Sequence, residues 1–213
     1  MKNMTWQDTI RLHVNGPSGE GSGVVALPRE QVPENLLALA DRMRVELDAE
    51  FPAEIDPSWC GARALPSLPG GRGNRVRLGG ELVGKLSPVA LESVLAHELA
   101  HLKCRHWELL LAGSVLAALA GIAVGLAVDF STPLRLLFGG GVLVLGSAAL
   151  SWIAEYEADS VAARYVGRDS VARMLEELKD NHFRRVPELT HPTDALRLHR
   201  VRRIRVPRMP KPR

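Results

Sequence analysis

Hydrophobic residues are unevenly spread along this chain. Leu109 to Val128 is twenty residues without a charge, and Leu136 to Ala154 is nineteen more. At about 1.5 Å per helical residue, each run spans roughly 30 Å, the thickness of a bilayer's hydrocarbon core, which predicts two transmembrane helices. Asp129 to Pro133 is just long enough for a tight reversal, so the pair forms a hairpin with both chain ends on one side. Gly113, Ala117, Gly121 and Gly125 recur every four residues, a small-residue stripe that lets a second helix approach closely. The competing reading, two buried helices in a soluble core, asks for core helices of unusual length with no polar face.

Elsewhere the periods change. Asn15 to Gly23 reads as a loop, and Leu36, Leu37, Ala40, Met43 and Leu47 recur at helical spacing, predicting an amphipathic helix over Pro33 to Glu50. Phe51 to Asn74 carries four Pro and four Gly and is expected to be mostly irregular. Arg75 to Leu78 alternates polar and apolar, as a strand with one wet face does, and Gly79-Gly80 would turn it toward Glu81 to Val83 in a small hairpin or sheet edge. Ser87 and Pro88 then form an N-cap and first-turn pair, with Leu86 placed to staple onto Leu91. The helix they start runs through His97 and His101 toward His106. Beyond the second apolar run, Ala158, Ala162 and Val166, with Val171, Leu175 and Leu178, mark helix faces turned to a core.

Composition adds limits. With 46% hydrophobic and 24% charged residues among 213, and no three-residue period in its Gly and Pro, the chain is neither disordered nor collagen-like. Cys60 and Cys104 alone make a disulfide-stapled scaffold a poor fit and favour a reducing compartment, with Cys104 a free buried thiol. Met1 to Ile10 lacks a signal-peptide core, so no cleaved leader is expected. Lys103, Arg105, Arg164 and Arg168 flank the hairpin on the side of the chain ends, while its loop offers only Asp129 and Arg135. Positive charge favours the cytoplasm, which predicts a multi-pass protein of the cell's inner membrane with both larger segments cytoplasmic. Ala195 to Arg213 holds seven Arg, one Lys and no acid. Anionic lipid or a solvated basic tail accounts for it; without interleaved aromatics, no nucleic-acid partner is expected.

The chemistry lies in His97-Glu98-Leu99-Ala100-His101. Residues four apart share a helical face, so two imidazoles converge on one metal while Glu98, about 100° around, stands beside its open position. Catalytic zinc generally takes three protein ligands. Glu155 and Asp159 share a face just past the second span, on the side to which the hairpin returns the chain. Glu155 is thus the candidate third ligand and Asp159 the orienter of a ligand histidine, while Glu157 points elsewhere. His106, about 140° around from His101, is a poor third ligand and is expected at the membrane interface beside Trp107, with Trp152 in a similar belt at the other span.

His-Glu-Leu-Ala-His at 97 to 101, two apolar spans and Glu155-Tyr-Glu-Ala-Asp159 together resemble the M48 peptidases, membrane-embedded zinc proteases. Arg75 to Leu102 is similar to that family's edge strand, Gly turn and metal helix, and His191-Pro192 with Arg197 resembles its C-terminal His-Pro segment with a downstream Arg, so the likeness covers about Asn74 to Val201. The resemblance implies one Zn2+ per chain held by His97, His101 and Glu155, with Glu98 activating water, Asp159 supporting the site and His191 near the metal or the oxyanion. It implies a mainly α fold with a small β-sheet: an HExxH zincin-like (gluzincin) domain split into halves over 1–107 and 155–206 by a hairpin over 108–154, then a basic Pro-rich tail over 207–213. The chain looks like a shortened form, because nothing before Arg75 can span a bilayer and Leu65 to Gly71 replaces the family's Asn-Ala-Phe-Ala element. The expected activity is endopeptidase cleavage of membrane or misfolded proteins, the substrate held along Arg75 to Leu78 by strand addition. Expected partners are a protein or peptide substrate and the lipid bilayer; the oligomeric state is left open. The alternative is a non-proteolytic membrane scaffold or adaptor that keeps a structural metal site, against which Glu98 argues.

Overall fold

The computed structural model describes residues 23–68, 71–128, 131–181, 183 and 191–204. Four short strands form one mixed sheet in the order β1-β2-β4-β3: β1 (Val25–Leu27), β2 (Ala53–Asp56), β3 (Ala62–Leu65) and β4 (Arg75–Gly79). β1 runs antiparallel to β2, β2 parallel to β4, and β3 antiparallel to β4. Val76 stands opposite Ala53 and Ala64, and Leu78 opposite Ile55 and Ala62, so one face of the sheet is apolar. Arg75 and Arg77 both reach back to the buried Glu54 on β2 and neutralise it.

Seven α-helices accompany the sheet among the described residues: α1 (Glu34–Met43), α2 (Gly80–Lys85), α3 (Pro88–Lys103), α4 (His106–Ala127), α5 (Thr132–Val166), α6 (Arg168–Asp180) and α7 (Asp194–Arg203). α1 buries Leu36, Leu39, Ala40 and Met43, one face at the expected spacing, and ends at Met43, seven residues earlier than Glu50. α3 is the central element, packed against α1, α5, α6 and β3. Ser87 caps it as expected: its hydroxyl accepts from the Ala90 N–H at 3.3 Å, and its own N–H and O–H donate to Glu177 on α6 at 2.8 and 2.6 Å. Leu86 and Leu91 are both buried at this start, and so are Ala158, Ala162, Val171 and Leu175.

One expectation is incomplete and one fails. Phe51 to Asn74 is mostly irregular, as expected, but it also contains β2 and β3, four residues each, which local composition hides. No hairpin follows Gly79: both edges of β4 are already occupied by β2 and β3, and Gly80 onward coils into α2. Gly79 itself is required by a close approach, since a Cβ there would sit 2.3 Å from the Trp59 carbonyl oxygen.

α4 and α5 are long and apolar enough to cross a membrane, and their apolar stretches are mostly exposed, which overturns burial in a soluble core. They pair antiparallel along the small-residue stripe. A Cβ on Gly121 would lie 3.0 Å from the Gly139 Cα, Gly113 faces Leu150, Gly125 faces Arg135, and Ala117 faces Gly146. Ser114 and Ser147 hydrogen-bond across the pair at 3.0 Å. Asp129 and Phe130 of the reversal, and the tail from 205 onward, lie outside the described residues. α5 continues past Ala154 without a break, so its C-terminal third belongs to the core beside α3.

Candidate metal centre

His97 and His101 are one helical turn apart on the buried face of α3, and their Nε2 atoms are 3.1 Å from each other. Glu155, arriving on α5, sets Oε2 3.4 Å from the His97 Nε2 and Oε1 3.5 Å from the His101 Nε2. A tetrahedral ion with bonds of about 2.0 to 2.1 Å has donor atoms roughly 3.3 to 3.4 Å apart, so this trio has the spacing of three zinc ligands. The Glu155 Oε2 is buried without a well-aligned hydrogen bond, its charged neighbour being the Arg197 Nη1 at 3.2 Å, and a cation between the three donors would complete its surroundings.

Asp159, one turn beyond Glu155, places Oδ1 3.0 Å from the His97 Nδ1, so that ring can donate to Asp159 while Nε2 faces the centre. Burial and the neighbouring Arg197 push the His97 imidazole down; hydrogen bonds to Asp159 and Glu155 outweigh them and raise it to about 9. An incoming cation therefore has to displace a proton there.

Arg197 on α7 is the residue whose position the chain disguises. It lies within the basic C-terminal run, yet it is 1% exposed. Its Nε and Nη2 donate to the two oxygens of Asp159 at 2.8 and 2.6 Å, and its Nη1 is 3.2 Å from the Glu155 Oε2. Two buried acids and one buried guanidinium thus neutralise in part, leaving negative charge for a metal. The available signal was register: Arg197 stands four residues before Val201, and both occupy the inward face of α7.

Glu98 is buried and, with His97, His101, Glu155 and His191, lines a cavity of about 660 Å³. The His191 Nε2 comes within 3.5 Å of the Glu155 Oε1, at the partly exposed side of the centre. Trp59 to Ala64 forms another wall. That segment holds most of β3, an outer strand of the sheet, so strand addition along Arg75 to Leu78 is corrected: β4 is interior, and β3 presents the edge beside the cavity. His106 is also displaced from its expected place. It is 2% exposed and packed against His101, because α3 ends at Lys103 and the angle around a continuous helix no longer applies. Glu157 does turn away from the centre, toward His106.

A family model described as Peptidase family M48 matches residues 66–205, more than half of the chain. A crystal structure of Ste24p from S. mikatae shares the fold with a TM-score of 0.62 at 20% identity, over 91% of this chain and 54% of that one. The chain thus spans about half the length of that relative, and no curated protein matches it. The match across the HExxH helix, the apolar pair and the Glu155 and Arg197 segments places this chain in peptidase family M48.

Proposed function

We propose that the protein is a membrane-anchored zinc endopeptidase, with the centre formed by His97, His101 and Glu155 and with Glu98 as its general base. The observation that carries this reading is the trio of donor atoms 3.1 to 3.5 Å apart beside Glu98 in one cavity. Two histidines and a carboxylate with one side open suit zinc above other common divalent ions. When bound, the ion polarises the scissile carbonyl and makes water acidic enough to deprotonate near neutral pH.

The chain's own groups do the rest. Glu98 accepts the proton of the attacking water and returns it to the departing amine, work that typically contributes about 100- to 10,000-fold. Asp159 holds the His97 ring, Arg197 holds Asp159, and His191 at the open side is placed to donate to the carbonyl oxygen as negative charge develops. An extended peptide pairs with the outer edge of β3, where main-chain bonds tolerate many sequences, in keeping with unfolded or membrane-proximal segments as substrates. α4 and the first part of α5 form the membrane hairpin, with the metallopeptidase halves on its cytoplasmic side.

Detergent-purified protein and its Glu98→Gln variant test this together, by metal analysis and casein cleavage. A Gln can hydrogen-bond water and cannot take its proton. One zinc per chain in both, with cleavage lowered at least roughly 100-fold in the variant, is the expected result. Equal cleavage by the two would remove Glu98 from the mechanism, and zinc without cleavage in either would favour a scaffold.

A further inference from the structure

The two histidines of the centre are supported differently. His97 has a carboxylate directly behind it, whereas the His101 Nδ1 lies 2.8 Å from the Nδ1 of another imidazole, that of His106. The His106 ring stands nearly perpendicular to that of His101, at 77°, and its Nε2 is 3.4 Å from the Glu157 Oε2. This contact depends on a strained connection: Arg105 adopts left-handed backbone angles, φ 54 and ψ 39, between α3 and α4. Through that turn the chain doubles His106 back onto His101, where a continuous helix would carry it about 140° away.

Proton bookkeeping gives the pair a direction. Two nitrogens 2.8 Å apart share one hydrogen. If the His101 Nε2 is to face a metal it carries no proton, so the hydrogen of that neutral ring is on Nδ1 and is donated to His106. His106 then accepts at Nδ1 and holds its own hydrogen on Nε2, the atom turned toward Glu157. Reversing the His101–His106 bond moves the His101 hydrogen onto Nε2 and blocks the donor.

Resting on the zinc reading above, we propose that His106 is a positioning residue. By accepting the His101 Nδ1–H bond it fixes the ring and the tautomer that present Nε2 to the ion, and Glu157 anchors His106 from the outside. The same bookkeeping bears on a second group of possible ligands, Cys104, His106 and Glu157, whose donor atoms lie within 4.8 Å of one another. With zinc on His101, the His106 nitrogen facing that group is protonated and is no metal donor.

The test is zinc affinity, by competition with a chromophoric chelator, alongside the visible spectrum of the cobalt-substituted protein. It compares wild type, His106→Phe, His106→Gln and Glu157→Lys, each checked for folding by its melting profile in detergent. Removing an outer partner of a ligand histidine typically weakens metal binding roughly 10- to 100-fold, the loss expected for His106→Phe together with an altered cobalt spectrum. His106→Gln offers a carbonyl oxygen to His101 and is expected within a few-fold of wild type. If His106 only fills space, the order reverses, because Phe packs and Gln leaves a gap; that order overturns the proposal. Glu157 is half exposed, so its Lys variant spares the fold even where His106→Phe does not; about a 3- to 10-fold loss supports the relay and unchanged affinity overturns it. Two ions per wild-type chain would also overturn it, in favour of a site at Cys104. No zinc in wild type would instead fail the underlying reading, and the relay with it.

Discussion

The N-terminal two thirds of α5, Thr132 to Ile153, and its last third, Ala154 to Val166, share one unbroken backbone and treat their surroundings oppositely. In the first part Leu136, Leu137 and Leu145 point outward, Leu136 and Leu137 each 73% exposed, while Gly139 and Gly146 sit against α4. In the second part Ala154, Ala158 and Ala162 are buried, the acids Glu155 and Asp159 turn inward, and Arg164 is exposed. Large apolar residues thus mark the outside of one part, and charge marks the inside of the other. On the membrane reading proposed above, what differs is the solvent: hydrocarbon rewards an apolar exterior, and an inward acid is tolerated only where a cation meets it.

That contrast can be broken most strongly at Arg197. Arg197→Met leaves Asp159 and Glu155 buried without their guanidinium, and metal-free protein should lose about 3 to 5 kcal/mol in thermal unfolding. A loss below about 1 kcal/mol would mean that water reaches the pair. In the hairpin, Gly121→Leu should cost about 1 to 3 kcal/mol by wedging α4 from α5, while zinc content stays at the wild-type level; loss of zinc would show the two parts to be coupled.

Ser87→Ala removes a cap at the start of α3 and should cost about 1 kcal/mol. Its cost should also depend on pH. Burial raises the Glu177 carboxyl, but hydrogen bonds from Ser87, aided by Arg173, outweigh this and hold it below its ordinary 4.5. The carboxylate's contribution is therefore complete above about pH 4.5 and is lost as pH falls through the lowered value, so the penalty of Ser87→Ala should shrink in acid. The smallest effect belongs to the outer face of α5, where Leu137→Ala should cost under about 0.5 kcal/mol, against roughly 2 to 5 kcal/mol for Leu95→Ala in the core. Equal losses at the two positions would place Leu137 in packed protein.

These effects follow features of unequal legibility in the sequence. The cap at Ser87, the four-residue spacing of His97 and His101 and the small-residue stripe are local patterns, and the fold uses all three as spaced. β2 and β3 are legible only afterwards, as the alternations Ala53-Glu54-Ile55 and Ala62-Arg63-Ala64, because four residues of alternation carry little weight among so many Pro and Gly. The position of His106 is not legible from spacing, because the helix breaks at Arg105, a residue type that rarely adopts the left-handed angles found there. Composition alone makes Arg197 one more base of the C-terminal run, because its partners lie 38 and 42 positions earlier on another helix; only the likeness of its His-Pro segment sets it apart.

The distance along the chain between the centre's parts also matters while the protein is being made. His101 and Glu155 are 54 positions apart, with all of α4 between them. A ribosome that has released only the first imidazoles has released no carboxylate to complete their site. On the reading proposed here, a half-synthesised chain cannot attack its neighbours, and proteolytic capacity begins only once translation has passed the second apolar run and α5 has docked.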